Sequence, residues 1–314
     1  MKIAVMGSGG VGGFYGGHLA HAGYDVAFIA RGPHLAAMRE RGLTIENTPN
    51  GSVHIPRVTV TGDPSTLGVA DFVLIAVKLW DTEAAVRVVT PLVGAKTAVV
   101  SLQNGVAKDD ILRRSFGEAT VIGSVVYVAA QISRPGVIRQ AGTMQRCVLG
   151  EYGGQRSERV DALHEALLRA GLKAEISDDI RRALWEKYVF LVGLSGSTTT
   201  MRSTIGPIRD HPQTRAFLHE LMKETVAVGR AHGVDLAQDY SDQRLAFVDT
   251  MSADMTSSMH HDLNGGKPLE VPWLSGGVVQ LGLEVGVPTP ANRPVWDILA
   301  LHASGPPIGV GSAG

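Results

Sequence analysis

Seven glycines fall between positions 7 and 17 (Gly7, Gly9, Gly10, Gly12, Gly13, Gly16 and Gly17), and this cluster constrains the fold more than any other feature of the chain. Glycine at that density is a backbone requirement: something packs or binds where side chains would stand. The cluster follows a short apolar run, residues 3–6, and leads into a small-residue helical pattern through Leu19 and Ala20, with Gly23 as its C-cap. Gly7-Ser8-Gly9-Gly10-Val11-Gly12 therefore fits G-x-G-x-x-G between a strand and a helix, the context in which the motif holds a dinucleotide. Gly7 permits the tight turn, Gly9 admits a pyrophosphate to the backbone, and Gly12 lets helix pack on strand. The helix N-terminus adds N–H groups and positive dipole. A glycine-rich turn without a ligand is the plain alternative, and the strand-to-helix setting weighs against it. No Gly-Lys-Ser/Thr follows, which excludes a Walker loop.

The choice of dinucleotide rests on the end of the second strand, residues 25–30. A site for NAD usually ends this strand with Asp or Glu to bind the ribose hydroxyls, whereas here Arg31-Gly32 follows Ala30. A guanidinium forms charge-assisted hydrogen bonds with a 2′-phosphate, so Arg31 predicts NADPH/NADP+ over the unphosphorylated form. Elsewhere in the chain such an arginine would be read as a solvated loop residue.

Strands and helices alternate through the first half, with further strands at 58–60, 72–76 and 98–102, a helix over 82–93 and a hairpin near 47–51. Apolar strands alternating with helices mark a doubly wound parallel sheet covered on both faces. Residues 120–150 read as short β-rich runs punctuated by glycine. A helix over 158–168 and a strand at 174–176 complete the sheet. Beyond Ser177 strand signals nearly vanish. Ser177 with Asp178 and Asp179 predicts an N-cap opening a helix to about Leu194, and helical patterns follow at 213–232, 240–249, 269–284 and 291–302. The expected organisation is a Rossmann-type α/β domain over 1–177, an all-helical domain over 178–304 and a flexible tail over 305–314.

Charge and composition narrow the partners. With 29 basic and 30 acidic residues the net charge is −1, and aromatics are 5%, so neither a field that gathers nucleic acid nor a stacking platform is expected. No apolar run approaches the ~18 residues of a membrane span, and the apolar start is too short for a secretory leader. Cys147 is the only cysteine, which excludes an internal disulfide and makes a reducing cytoplasm the simplest compartment. Its strand setting suggests core rather than nucleophile. Helical faces of the second half could pair two copies as a homodimer. His260-His261-Asp262 lacks a partner motif, so no metal is expected, and no G-x-S-x-G elbow is present.

Several further motifs stand in order along the chain: the opening Met1-Lys2-Ile3-Ala4-Val5-Met6-Gly7, Val77-Lys78, Gln103-Asn104-Gly105, Leu184-Trp185-Glu186-Lys187, Ser257-Ser258-Met259, and Glu270 twelve residues after Ser258. In this order and spacing the chain resembles the ketopantoate reductase family (2-dehydropantoate 2-reductase) over nearly its whole length. The resemblance implies a Rossmann domain followed by a helical domain of the 6-phosphogluconate dehydrogenase type. It also implies NADPH-dependent reduction of ketopantoate to pantoate, toward pantothenate and coenzyme A, in a cleft between domains. It casts Lys187 as the proton donor to the keto oxygen and Glu270 as the acid that accepts from the substrate hydroxyl. Ser258 becomes a substrate ligand, and Lys78 and Asn104 neighbours of the nicotinamide and ribose, with Asn104 also facing substrate. By residue type alone Lys187 reads as a surface lysine, Glu270 as a solvated glutamate, Ser258 as a helix cap and Asn104-Gly105 as a turn. The apolar neighbours Leu184, Trp185, Tyr188, Leu191 and Val192 argue that the Lys187 helix is partly buried.

The chain departs from the family's best-known pattern where asparagines follow the catalytic lysine by four and eight residues, on the same helix face. Here Leu191 and Ser195 stand there, and about Ile205 replaces a further asparagine. The run 195–200 offers substitute hydroxyls, with Ser195 the candidate substrate ligand. A different branched or bulkier 2-keto acid is therefore the alternative substrate. A non-catalytic NADP(H)-binding sensor is the alternative class.

Overall fold

The computed structural model describes residues 1–47 and 51–306. The chain divides into two compact units, Met1–Ala183 and Leu184–Gly314. Ten strands among the described residues form the sheet of the first unit: β1 (Lys2–Met6), β2 (Asp25–Ile29), β3 (Leu43–Asn47), β4 (Gly51–Ile55), β5 (Thr59–Thr61), β6 (Phe72–Ile75), β7 (Ala98–Ser101), β8 (Val121–Arg134), β9 (Val137–Gly150) and β10 (Lys173–Ile176). Its helices are α1 (Gly10–His21), α2 (Gly32–Arg41), α3 (Thr82–Val89), α4 (Ala107–Phe116) and α5 (Glu158–Arg169).

Six strands run parallel in the order β5-β2-β1-β6-β7-β8, with β1 the switch point from which the chain winds both ways. Successive residues of each strand face opposite layers. Ile3, Val5, Phe72, Leu74 and Val100 pack with Phe14 and Leu19 of α1 and Leu163 of α5. Ala4, Val73, Ile75 and Val99 pack with Val89 of α3 and Leu112 of α4. A strand buried on both faces has no polar side to present, which is why these segments read as unbroken apolar runs.

The sheet continues past β8 as a mixed arm. β9 pairs antiparallel with β8 along its length, and on its other edge takes β3 and β10 in parallel register. β3 and β4 pair antiparallel; residues 48–50 of the expected hairpin lie outside the described residues, as does the expected tail beyond Pro306.

Residues 120–150 are two 14-residue strands rather than short runs. Of the glycines that suggested interruption, only Gly136 lies in the turn between them; Gly123 and Gly142 lie inside the strands. Gly123 brings the strand against Ile180, where a Cβ would come within 2.7 Å of the isoleucine side chain. Gly142, at φ +68°, lies where the β8–β9 register shifts between Val128 and Ala129.

The second unit contains helices and no strand among the described residues: α6 (Ile180–Met201), whose first turn counts with the first unit, α7 (Ile205–Asp210), α8 (Pro212–Ala231), α9 (Tyr240–Asp249), α10 (Ser258–Asn264), α11 (Ser275–Val285) and α12 (Asn292–Leu299). The cap of α6 is Asp179, not Ser177. Asp179 Oδ1 accepts from Arg182 N at 2.9 Å, while Ser177 Oγ accepts from Asp179 N at 3.1 Å and so shapes the approach. α6 also runs beyond Leu194, the expected end, through the Ser/Thr segment 195–200. Both buried, Ser197 and Thr198 return their hydroxyls to the carbonyls of Gly193 and Leu194 at 2.7 and 2.6 Å, and the helix persists. The helix expected from Leu269 begins at Ser275 instead, past Pro272, with a turn closed on the Glu270 carbonyl before it.

Candidate active site

At the C-terminal edge of the parallel sheet the loop from β1 into α1 carries the glycine motif. Gly7 has φ +92°, and a Cβ there would lie 2.8 Å from Val77 N. A Cβ on Gly10 would lie 2.0 Å from Ala130 O in β8, and one on Gly12 would lie 2.1 Å from Gly7 O. The protein's own packing demands those three glycines. Gly9 differs: a Cβ there would meet nothing within 4 Å. As N-cap of α1 it leaves open space in front of the helix N-terminus, the arrangement that suits a pyrophosphate. Ser8 is buried with Oγ donating to Ile29 O at 3.1 Å, so its hydroxyl is committed to the fold. Only its backbone and that of Val11 are left for a ligand.

Arg31 holds the N-cap position of α2 in extended backbone, and its side chain is 90% exposed. Its guanidinium lies 3.3 Å from Asp81 in the turn after Lys78, a surface pair of the kind that contributes at most about 1 kcal/mol. Lys78 is exposed, 5.7 Å from the Trp80 ring centroid, and Asn104 is half-buried. The backbone bonds Ala76 N to Met6 O and Leu102 N to Ile75 O set the ends of β1, β6 and β7 side by side. The glycine loop, Val77-Lys78 and Gln103-Asn104 thus share one edge of one unit, next to the switch point where open α/β sheets take ligands.

Gln103, which composition and spacing did not single out for a role, joins two of these segments. Buried, it donates from Nε2 to Val77 O at 2.9 Å and to Thr82 Oγ1 at 2.8 Å, and accepts from Ser101 Oγ at 2.9 Å. Behind it, Lys108 is fully buried; its Nζ donates to Ser101 O and Ser124 O and pairs with Asp109 at 2.9 Å. Asp109 also accepts from Tyr152 Oη at 2.6 Å. Both charges are hydrogen-bonded, the condition under which a buried pair is tolerated. The bond from Lys108 to Ser101 O ties α4 back to the end of β7, with Asn104 in the connection between them.

In the helical unit, α6 buries Leu184, Trp185, Tyr188 and Val192 and leaves Lys187 and Leu191 half-buried. Ser195, two turns on from Lys187, is fully buried, and its Oγ has no hydrogen-bond partner among the described residues. Glu270 is buried at 7% exposure. Ser257, not Ser258, caps α10: its Oγ accepts from His260 N at 3.1 Å and lies 2.9 Å from Thr198 Oγ1 of α6. Ser258 is exposed at the first helical position. Cys147 is buried in the first core, and the described residues hold no group of three or more His, Cys, Asp or Glu arranged for a metal. Among the described residues no helix is long and apolar enough to cross a membrane.

A doubly wound sheet with an open glycine loop at its switch point, followed by a helical unit bearing a half-buried lysine and a buried carboxylate, defines a dinucleotide-dependent oxidoreductase. Residues 3–154 match the family ketopantoate reductase PanE/ApbA, and residues 179–303 match ketopantoate reductase PanE/ApbA C terminal. The chain is 34% identical over 311 residues to a 2-dehydropantoate 2-reductase of Mesorhizobium japonicum, covering 92% of this chain and 94% of that protein. It is 31% identical over 303 residues to one of Halobacterium salinarum, covering 96% and 98%. A crystal structure of a PanE/ApbA family ketopantoate reductase from Ralstonia eutropha JMP134 superposes with a TM-score of 0.88 at 34% identity, covering 96% of this chain and 98% of that one. The chain belongs to the ketopantoate reductase family, whose members are oxidoreductases acting on CH–OH groups with a nicotinamide cofactor.

Proposed function

We propose that the protein is a cytoplasmic enzyme that reduces ketopantoate to pantoate with NADPH, a step toward pantothenate and coenzyme A. The observation that carries the reading is the pairing of an open Gly9 loop, flanked by Arg31 where an acid would select NAD, with the retained Lys187 and Glu270 of a family matched across both halves. When bound, NADPH supplies the hydride. The Gly9 backbone and the N-terminus of α1 would hold its pyrophosphate. Arg31 would leave Asp81 for the 2′-phosphate, a charge-assisted bond worth about 1.5–3 kcal/mol. Lys187 donates a hydrogen bond to the keto oxygen and then the proton that quenches the developing alkoxide. Glu270 accepts from the substrate hydroxyl. Asn104 and Ser258 hydrogen-bond the remaining polar groups. The cofactor falls to the first unit and the proton donor to the second, so the reading requires both to act on one substrate.

Leu191 and the unpartnered Ser195 support a second reading, a 2-keto acid with a more apolar side chain, because leucine supplies no hydrogen bond. Initial rates of NADPH oxidation across a panel of 2-keto acids separate the two. The highest kcat/KM with ketopantoate supports the first, a higher value with a bulkier acid the second. No keto-acid-dependent oxidation leaves a nucleotide-binding sensor. Arg31→Ala is expected to raise the KM for NADPH roughly ten- to hundredfold and leave that for NADH unchanged. An unchanged preference removes the 2′-phosphate role.

A further inference from the structure

Tyr188 follows Lys187 on α6 and is buried, with 1% of its surface exposed. Its ring packs edge-on against Trp185, with centroids 5.6 Å apart. Its Oη lies 2.9 Å from Trp273 O and 2.8 Å from Leu274 O. Both partners are acceptors, so the phenol must donate, sharing one hydrogen between two carbonyls. Those carbonyls end the turn that starts at Glu270: Trp273 N and Leu274 N both donate to Glu270 O, at 3.0 and 3.1 Å. A single turn of backbone therefore separates the group that Tyr188 grips from Glu270. Gly277 makes the grip possible. A Cβ there would stand 2.6 Å from Tyr188 Oη yet 3.9 Å from Cζ, so glycine at this helical position clears space for the hydroxyl and not for the ring.

We infer that Tyr188 is a positioning residue: its hydroxyl fixes the turn that begins at Glu270 to the helix that carries Lys187, and so sets the distance between the two groups. The inference rests on the reductase reading above, since it assigns those two residues to one substrate. It goes beyond that reading in giving a role to a buried residue to which that reading assigns no contact with substrate or cofactor. Tethering matters because loss of placement by about 1 Å can cost a reaction on the order of a hundredfold.

Tyr188→Phe keeps the ring and its packing and deletes only the hydroxyl. Gly277→Ala keeps the hydroxyl and displaces it. Each is expected to lower kcat/KM for the keto acid roughly ten- to hundredfold, while the Kd for NADPH, measured by nucleotide fluorescence, stays within about twofold of wild type. The double variant is expected to be no worse than Tyr188→Phe alone, because the alanine methyl then occupies the space the hydroxyl has left. If either variant fails to fold, the other still reports on the same hydrogen bond. A Tyr188→Phe enzyme with lowered Tm but wild-type kcat and KM overturns the inference, as does a double variant carrying the sum of both defects. Wild-type protein that turns over no 2-keto acid removes the reading underneath, a result distinct from active wild type with an unaffected Tyr188→Phe.

Discussion

At the residue scale, glycine does two separable jobs in one loop. Gly10 is empty because Ala130 fills the place of its side chain. Gly9 is empty although nothing does. Gly10→Ala is therefore expected to destabilise the protein by about 1–3 kcal/mol, the usual cost of overpacking, seen as a lowered urea midpoint. Gly9→Ala is expected to leave that midpoint unchanged, since its φ of −72° suits any residue, and to weaken NADPH binding. Equal loss of stability in both variants contradicts the distinction. The motif was legible from its spacing because Gly7 and Gly12 meet needs within the loop itself, a positive φ at Gly7 and the close approach of Gly12 to Gly7 O. The inward turn of Ser8 was not, because its acceptor, Ile29 O, is 21 residues away. Nor was the phenol of Tyr188, whose acceptors are 85 and 86 residues on. Which of two adjacent serines caps α10 depended in the same way on Thr198, 59 residues before Ser257.

At the element scale, periodicity and capping located the central strands to within a residue or two, because burial on both faces leaves an apolar run with sharp ends. The β8–β9 arm was misread because Gly123 serves packing and Gly142 a bulge, leaving only Gly136 to serve a turn. α4 was missed for another reason: its buried face includes Lys108 and Asp109, charges that look solvated until their mutual pairing is seen. α1 carries a comparable surprise in His18, which packs against Phe14 at 4.6 Å and whose pKa is lowered to about 4 by burial and by the neighbouring His21. Burial also holds His34 and His260 below the ordinary histidine value. A histidine whose folded pKa lies below its unfolded value binds fewer protons when folded. The stability His18 contributes is thus complete above about pH 6.5 and declines as pH falls toward about 4. Urea midpoints measured across that window are expected to fall with acid, and His18→Leu to flatten part of the fall. An identical slope in the variant contradicts burial as the cause.

At the scale of the whole molecule, the proposed reaction assigns the cofactor to the first unit and the proton donor to the second. The change of texture near Ser177, from alternating strand and helix to helix alone, was readable because the hydrophobic period changes there. The substrate is less legible. In the proposed site Leu191 and Ser195 would set the hydrogen-bonding capacity of the Lys187 face, the kind of difference by which a site discriminates among keto acids. The most direct test of the proposed reaction is to measure pantoate formed against NADPH consumed, by the wild type and by Lys187→Ala. Stoichiometric pantoate from the wild type, and a variant that binds NADPH normally while losing about 10²–10⁴ in kcat, are the expected results. NADPH consumed without pantoate, or a Lys187→Ala enzyme at the wild-type rate, contradicts them.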